Sequence, residues 1–470
     1  MKNKKTDILY IVIFMGLLLS LIVFMPFSSF DAKTEKRNAA EFPKAVSENG
    51  SLNLDFFDEL TDYMNDNFAF RKQLATADAL VKAKIFASSG SEKAVVGKNG
   101  WLYYTGSMDD YLGRDLMDKR EINAAAKVLS LMQENSEAQG RKFLFVCAPN
   151  KNTLYPENMP ARYLKNRYPS NYDNLRIALS ENKVNTVSLH DAFLADERIM
   201  YFEHDSHWDN EGAAFAVDKI LGALDKPHYD YSDEPCTLEA VHRGDIMDLI
   251  YPSWKKMDED HIYEKEHEYT YVNPVESVED ILIITQTPGK DNALLMFRDS
   301  YGNASIPYIA DEYGKALFSK GVPYNMSLGA SVSADTVIVE IVERNIAWLM
   351  EYVPFMEAPE RSYGGEVQEA VSDLSSINME DKGADMVFYG TLDPEYADDH
   401  AEVYISVKTP DGNTKYYAAF PSSYTEVENA DEAKYSYGAY INKAALPAGS
   451  EVSVLSRKGS GLYKLSFLTL

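Results

Sequence analysis

Cysteine is scarce in this chain, and its scarcity excludes two classes of protein. The 470 residues contain only Cys147 and Cys236, too few for a disulfide framework. Neither has a partner at the spacing of a structural zinc site. Cys147 ends an apolar run and is predicted to lie in a buried strand, whereas Cys236 lies in a polar stretch. The sequence is compatible both with a disulfide between Cys147 and Cys236 and with two unpaired thiols.

Positive charge is also in short supply. The 46 lysine and arginine residues are outnumbered by 73 aspartate and glutamate residues, which gives a formal net charge of −27. A surface this acidic repels phosphate groups, so nucleic-acid binding is excluded as a function. Docking onto anionic lipid is disfavoured for the same reason. The ordinary consequence of such a charge is solubility.

Long hydrophobic runs are lacking except at the start of the chain. The one such run extends from Ile8 to Phe27, after Lys2, Lys4 and Lys5. About 20 apolar residues match the thickness of a bilayer, and the preceding lysines favour the cytoplasmic side. Residues 1–30 are therefore predicted to be a cytoplasmic tip and transmembrane anchor, with a tether to about residue 50 and the remainder outside the cytoplasm. A cleaved signal peptide is the alternative, although its apolar core is usually shorter.

Helical and apolar segments alternate through the middle of the chain. Helices are predicted over 120–138, 173–182 and 211–224, and short apolar strands over 142–147, 184–188, 292–297 and 336–342. Short buried strands separated by helices are typical of a parallel sheet covered on both faces. The sequence therefore predicts an α/β domain of three layers over residues 31–355. The polar segment 225–280 interrupts this rhythm and is interpreted as an insertion near the site.

The hydrophobic period changes to two in the last hundred or so residues. Residues 354–365 read as a linker, and alternating segments follow at 402–408, 414–420, 435–442, 451–456 and 462–469. This rhythm predicts a small β-sandwich over residues 366–470. A chain ending near Glu360 is accordingly expected to fold by itself. The sandwich tyrosines either form a platform for sugars or pack in the core: Tyr404, Tyr416, Tyr417 and Tyr437.

Two segments carry residue types that together perform nucleophilic chemistry. Ser300 follows the strand 292–297 and precedes a helix-like stretch, which places a serine at the carboxyl edge of the sheet, where α/β folds bind ligands. Asp205 and His207 lie two residues apart, just before the helix 211–224. A serine hydroxyl needs an imidazole to take its proton, and the imidazole needs a carboxylate to orient it. The three residues therefore form a candidate catalytic triad.

Further motifs complete a resemblance to the DHHW proteins and, more broadly, to the alginate O-acetylation proteins of the bacterial periplasm. They follow the family's order along the chain: 37–43 (RNAAEFP), 66–71 (DNFAFR), 97–103 (GKNGWLY), 149–151 (PNK) with 155–156 (YP), 205–208 (DSHW), 244–246 (GDI), 298–301 (RDSY) and 342–344 (VER). One departure is visible, because Ser206 stands where the family name spells histidine. That position is not a triad member, so the mechanism is retained.

The resemblance implies an SGNH-hydrolase-like fold and serine ester chemistry without a cofactor or a metal. Ser300 would attack an acetyl carbonyl, His207 would act as general base and Asp205 would orient it. The resemblance also implies a polysaccharide substrate and a membrane-bound O-acyltransferase as acetyl donor. Asn303 and Asn150 are candidate oxyanion residues. The candidate substrate residues, each with a structural role as the alternative, are Lys151, Tyr155, Trp208 and Arg298.

Two other functions compete with this one. His204, Asp205 and His207 are metal-ligand types, and a histidine of the insertion (His242, His261 or His267) can complete a shell, although the spacing fits no standard zinc pattern. A non-catalytic glycan-binding or scaffold protein is the second competitor, since an anchor and a sandwich fit that role. Which polysaccharide is bound, and whether water or a sugar accepts the acetyl group, is not determined by the sequence.

Overall fold

The computed structural model describes residues 4–25, 40–46, 50–86, 89–425 and 434–470. Lys2, Phe27 and most of the predicted tether lie outside these residues. Within them, no helix has both the length and the apolar character that crossing a membrane requires. The predicted transmembrane helix is therefore not supported by the structure.

The chain forms two compact units. The first consists of the residues up to Thr105 together with 203–205 and 241–258, and the second of 106–202, 206–240 and 259–470. The helices are α1 (Lys4–Val23), α2 (Phe56–Asn67), α3 (Arg71–Phe86), α4 (Met108–Leu112), α5 (Lys119–Ala138), α6 (Lys151–Leu154), α7 (Asn171–Glu181), α8 (Leu189–Leu194), α9 (Asn210–Ala223), α10 (Asp245–Ile250), α11 (Gly302–Ala310), α12 (Leu328–Ser331) and α13 (Trp348–Glu351).

Twenty strands accompany these helices in the described residues. They are β1 (Ala94–Val96), β2 (Leu102–Tyr104), β3 (Lys142–Ala148), β4 (Thr186–Val187), β5 (Cys236–His242), β6 (Asp258–Tyr263), β7 (Thr270–Tyr271), β8 (Leu282–Gln286), β9 (Ala293–Phe297), β10 (Lys315–Ser319), β11 (Thr336–Val342), β12 (Glu360–Arg361), β13 (Val367–Glu369), β14 (Asn378–Lys382), β15 (Asp385–Thr391), β16 (Val403–Lys408), β17 (Thr414–Ala419), β18 (Ser436–Asn442), β19 (Glu451–Lys458) and β20 (Gly461–Thr469).

The first unit is built around the hairpin β1–β2. Its strands pair antiparallel, and Asn99 and Gly100 between them adopt φ angles of 57° and 92°. Two positive φ values suit the right-handed twist of a tight hairpin, and asparagine and glycine adopt them readily. Leu102 of this hairpin packs with Ile246 and Ile250 of α10 in a small core.

The second unit contains a seven-stranded sheet in the order β4-β3-β11-β9-β10-β8-β7. Strands β4, β3, β11, β9 and β10 are parallel neighbours. Strand β8 is antiparallel to both β10 and β7, so the predicted parallel sheet is in fact mixed. The connections from β7 to β8 and from β8 to β9 are too short for the crossover that parallel strands need.

Helices cover both faces of this sheet and give three layers. Residues of α5 and α7 pack with β3, β9 and β11 in one hydrophobic core, while α8, α9 and α11 pack on the opposite face in a second core. Helix α5 begins with a capping box between Asp118 and Glu121, and Gly140 just beyond its end has a φ of 72°. These caps satisfy backbone groups that a helix end leaves unpaired.

The C-terminal strands form a six-stranded sheet, β12-β17-β16-β19-β20-β13, and a three-stranded sheet, β14-β15-β18. Both sheets contribute to one core, as the predicted sandwich requires. The tyrosines are largely used for packing: Tyr437 and Tyr417 are buried, and Tyr404 packs against the core that contains α5. Tyr404 and Tyr416 are half-buried, so of the four tyrosines only these two are left for the alternative of a platform for sugars.

The segment 354–365 is part of the packed structure. The backbone N–H of Ala358 donates to the carbonyl of Tyr440 at 2.8 Å, and strand β12 pairs with β17. Val387, Phe420 and Tyr440 of the C-terminal sheets belong to the same hydrophobic core as α5. The two halves of the second unit therefore share buried surface. Cys147 is buried and Cys236 exposed, and both are free thiols.

Candidate functional site

Ser300 lies on the turn between β9 and α11, at the carboxyl end of a parallel strand. The backbone N–H of Arg298 donates to the carbonyl of Ser319 at 2.9 Å and continues the pairing with β10. The N–H of Asn303 then donates to the carbonyl of Ser300 at 3.2 Å as the helix begins. A serine at this edge is half-buried, beside the backbone N–H groups that open a helix.

His207 meets this serine directly. Its Nε2 atom lies 2.9 Å from the Oγ of Ser300, within hydrogen-bond distance. The Oγ of Ser206 lies 3.2 Å from the other ring nitrogen, Nδ1. An imidazole whose Nε2 accepts from a serine hydroxyl can remove that proton when the oxygen attacks. The structure thus brings together two residues that are 93 positions apart in the chain.

Aromatic side chains brace the loop that carries His207. The ring of Tyr301 lies 4.8 Å from the imidazole, and its hydroxyl donates to the carbonyl of Ser206 at 2.6 Å. Trp208 is 1% exposed and packs edge-on against Tyr301 and face-on against Phe193. The loop that carries His207 is therefore held in place by aromatic packing. Trp208 thus packs against neighbouring rings, and its role at the substrate stays a prediction.

Asp205 belongs to the first unit and is almost fully buried there. Its Oδ2 atom accepts from Nε2 of His242 at 2.8 Å and from the backbone N–H of Asp245 at 2.9 Å. Gly244 is needed beside this loop, because a Cβ atom there would lie 2.3 Å from the carbonyl oxygen of His204. The role of Asp205 as third member of the triad stays a prediction.

Asn150 and its neighbours form a buried polar network at the end of β3. The amide of Asn150 donates to Asp110 at 2.9 Å and accepts from Arg344 at 3.2 Å, while its N–H donates to Glu343 at 3.0 Å. Burial, and next the charge of Glu343, raises the pKa of Asp110 to about 8. The side chain of Asn150 is thus engaged on both its nitrogen and its oxygen.

Lys151 and Tyr155 follow Asn150 and are also used in packing. Lys151 is buried, and the hydroxyl of Tyr155 accepts from the N–H of Met200 at 3.1 Å. Burial raises the pKa of Tyr155 to about 12, so the phenol stays neutral. These contacts correspond to the packing alternative considered for both residues.

Arg298 and Asn303 flank Ser300 and fasten a neighbouring segment to it. Arg298 is buried, and its guanidinium donates to the carbonyls of Val278 at 2.8 Å and Asp280 at 3.3 Å, and to Oδ1 of Asn303. The amide nitrogen of Asn303 donates to Glu279 at 2.6 Å. Arg298 therefore connects the turn to the end of the insertion, and its role at the substrate stays a prediction.

The histidines considered for a metal shell pair with separate carboxylates. His204 contacts Asp258 in the first unit. In the second unit, His267 contacts Asp311 at 2.8 Å, and His261 lies 3.6 Å from Glu211. The pairs of His261 and His267 connect the insertion to α9 and to the end of α11.

Three contacts in this region were not anticipated from the sequence: Ser206 to Nδ1 of His207, Tyr301 to the Ser206 carbonyl, and the buried acid Glu340 beneath the Ser300 turn. The motif 298–301 predicts Ser300 as the nucleophile, but it indicates no role for Tyr301. Glu340 had a weak signal, since a single acid interrupts the apolar strand 336–342.

One family of known proteins matches part of the chain. Residues 94–273 match the family model described as the SGNH hydrolase-like domain of acetyltransferase AlgX. No curated protein matches the chain.

Three solved structures resemble parts of the chain. A DHHW family protein from Eubacterium siraeum is 15% identical over 53% of this chain and 90% of its own, with a TM-score of 0.41. The O-acetyltransferase domain of Pseudomonas putida AlgJ is 12% identical over 54% and 92%, with a TM-score of 0.37. Pseudomonas aeruginosa AlgX is 12% identical over 83% and 98%, with a TM-score of 0.36. Residues 94–273 thus resemble the SGNH hydrolase-like domain of acetyltransferase AlgX, and the resemblance predicted from the motifs is confirmed over this part of the chain.

Proposed function

We propose that this protein is a serine-dependent O-acetyltransferase or acetylesterase that acts on a polysaccharide. The observation that carries the proposal is the 2.9 Å contact between Nε2 of His207 and Oγ of Ser300, at the carboxyl end of β9. A nucleophile and a base within hydrogen-bond reach are the minimum for acyl transfer. The related acetyltransferase domain supports acetyl as the transferred group.

The proposed reaction has two steps. In the first, Oγ of Ser300 attacks the acetyl carbonyl while His207 takes the serine proton, and then returns it to the departing oxygen. The product is an acetylated serine and a free donor alcohol. We propose that the backbone N–H of Ser300 stabilises the oxyanion, since the N–H groups of Tyr301 and Asn303 already donate to Asp299 and to the Ser300 carbonyl.

In the second step an acceptor removes the acetyl group from Ser300. His207 takes a proton from the acceptor hydroxyl, which attacks the acetyl carbonyl, and the serine oxygen regains a proton. Water as acceptor makes the protein an esterase, and a sugar hydroxyl makes it a transferase. In both cases we propose that Asp205 orients His207.

The cellular setting is also a proposal. An extracytoplasmic location, a membrane-bound O-acyltransferase as acetyl donor and a polysaccharide as acceptor follow from the lysine-flanked apolar run and from the family resemblance. Protease added to spheroplasts that express the full chain should digest residues beyond the apolar run. Full protection of the chain, with protease shown to be active on another envelope protein, would contradict the location.

The chemistry is tested by trapping the acyl-enzyme. The full chain is mixed with p-nitrophenyl acetate, quenched in acid and digested, and we expect acetyl on the peptide containing Ser300. A fluorophosphonate probe should label the same serine. Acetyl only on another residue would rule out this mechanism. Failure of both reagents to modify Ser300 would favour the non-catalytic, glycan-binding scaffold instead.

A further inference from the structure

The turn that carries Ser300 is fastened to the neighbouring strand by Asp299. One oxygen of its carboxylate, Oδ1, accepts from the backbone N–H of Tyr301 at 2.8 Å. The other, Oδ2, accepts from the N–H of Val342 at 2.8 Å and from the side chain of Asn345 at 3.3 Å. Asp299 therefore joins the residue after the serine to the end of β11.

A second acid lies beneath the same turn. Glu340 is 1% exposed and occupies the face of β11 that it shares with Ile338 and Val342, because side chains alternate along a strand. Its Oε2 atom accepts from the backbone N–H of Asp299 at 3.1 Å. Glu340 is thus bonded to the residue that immediately precedes Ser300.

Glu340 also approaches the start of α11. A Cβ atom at Gly302 would lie 3.0 Å from Oε2 of Glu340 and 2.7 Å from Cβ of Arg298. Glycine at this position lets the helix begin directly over the buried acid. Glu340 therefore bonds to the residue before Ser300 and lies close to Gly302 on its other side.

The charge state of Glu340 follows from these surroundings. Burial, and next the charge of Asp299, raises the pKa of Glu340 well above its ordinary value, whereas Arg298 opposes the shift. These surroundings favour the neutral form of Glu340 over its charged form. Ionised, it would place two negative charges beneath the turn.

We propose that Glu340 is a positioning residue, which holds the Ser300 hydroxyl against His207 by fastening residues 299–302 to strand β11. The inference rests on the proposed function, since it concerns the reactivity of the same serine. Glu340 does not touch the reacting atoms. It acts through the backbone of the turn, and a small displacement of a nucleophile is enough to slow acyl transfer.

Three variants test this role in the full chain. Glu340→Gln keeps the shape and neutrality of the acid, Glu340→Leu removes its hydrogen bonds, and Ile338→Ala is the matched control. Ile338 is fully buried on the same face of β11, so its truncation weakens the core without removing a bond to the turn. The measurements are fluorophosphonate labelling rate, kcat and KM for p-nitrophenyl acetate, and thermal unfolding.

We expect Glu340→Leu to lower kcat and the labelling rate about 10- to 100-fold, with KM little changed. Glu340→Gln should retain most of the wild-type rate. Ile338→Ala should lower the unfolding temperature while its labelling rate stays close to that of the wild type. Wild-type labelling in a folded Glu340→Leu would overturn the positioning role. If the wild type itself is not labelled at Ser300, the proposed function fails.

A pH profile keeps the test decisive if Glu340→Leu does not fold. The titratable or charged groups around Glu340 are Asp299 and Arg298 on the turn, Cys147 on β3, and Tyr324. Wild type and Glu340→Gln share all of these, so a difference between their profiles reports on Glu340. We expect the wild type to lose labelling at alkaline pH where Glu340→Gln retains it. Superimposable profiles would overturn the proposal.

Discussion

The two halves of the second unit use the same kinds of residue for different purposes. In the seven-stranded sheet, parallel strands end at one edge, and the residues just beyond those ends include Ser300 and Asn150. In the C-terminal sheets, antiparallel strands return through tight turns, and tyrosines such as Tyr417 and Tyr437 are buried in the core. Convergent strand ends assemble chemical groups, whereas an antiparallel sandwich mainly provides packed surface.

The comparison predicts that activity and folding can be separated. Ser300→Ala should abolish turnover of p-nitrophenyl acetate while the unfolding temperature stays close to that of the wild type, because a hydroxyl on a turn adds little to packing. His207→Ala should cost nearly as much, since the hydroxyl then loses its base. Losses of about 10³-fold or more are typical of such removals.

Two further variants serve as controls for that loss. The double variant Ser300→Ala with His207→Ala should be about as inactive as either single variant, because triad members act as a unit. Asp205→Ala should cost less than either, since the proposed role of Asp205 is to orient the base. Full turnover by Ser300→Ala would show that Ser300, at the edge of the seven-stranded sheet, is not the nucleophile.

Deletion of the C-terminal sheets tests whether the rest of the second unit depends on them for folding. A chain ending near Glu360 would uncover α5 residues that share a core with Phe420 and Tyr440. It would also remove the carbonyl acceptors of Arg120 and Asn123, which lie at Lys434, Asp398 and Asp399. We therefore expect this chain to unfold at lower temperature or to aggregate, in contrast to the independent folding expected from the sequence. Circular dichroism during heating measures the unfolding temperature. An unchanged unfolding temperature would show that the two halves of the second unit fold independently.

The pH dependence of stability sharpens the comparison further, because buried acids occur at the sheet edge. The pKa of Asp110 is raised to about 8, so the folded state holds a proton that the unfolded state releases above its ordinary pKa of about 3.9. The stability from this proton is complete below the unfolded pKa and is lost as pH rises toward the folded one.

Asp110→Asn should remove that part of the pH dependence. The variant should resemble the wild type near pH 4 and be more stable than it above pH 8, because asparagine stays neutral and can still accept from Asn150. Thermal unfolding at both pH values measures the difference. Parallel curves for the two proteins would mean that Asp110 is ionised in the folded state.

The smallest effect is expected at the ion pair between Arg361 and Glu134, which joins β12 to α5. The two side chains meet at 2.6 Å and are 28% and 45% exposed. Exposed pairs contribute about 1 kcal/mol or less, so Glu134→Ala should lower stability slightly and leave labelling of Ser300 unchanged. The unfolding temperature of Glu134→Ala, measured at several salt concentrations, checks this. If it falls as far as that of the chain ending near Glu360, this ion pair alone would account for the stability gained between the two halves.

Much of the local structure follows from the sequence because it depends on near neighbours. The strand 336–342 has the predicted bounds, and α5 begins and ends within a residue of its predicted position, where a capping box and Gly140 lie. The hairpin β1–β2 turns at Asn99 and Gly100, two residue types that adopt positive φ angles readily. Period and caps are local properties, and they suffice for these elements.

Other elements depend on contacts that no local pattern records. Strands β8 and β10 are short, and their pairing gives the sheet its antiparallel edge. The segment 354–365 has the composition of a linker, yet Ala358 is bonded to Tyr440. Burial of these segments is decided by partners far along the chain, so composition predicts their exposure poorly.

The candidate site divides in the same way. The sequence by itself determined which residues can react, because Ser300 and His207 carry the needed groups within motifs that fit a turn. Only the tertiary structure decided that their reacting atoms meet, that Trp208 and Arg298 are buried, and that Glu340 lies beneath the turn. The physical reason is that residue type sets chemical capacity, whereas distance and burial arise from the packing of strands and helices that are remote in sequence.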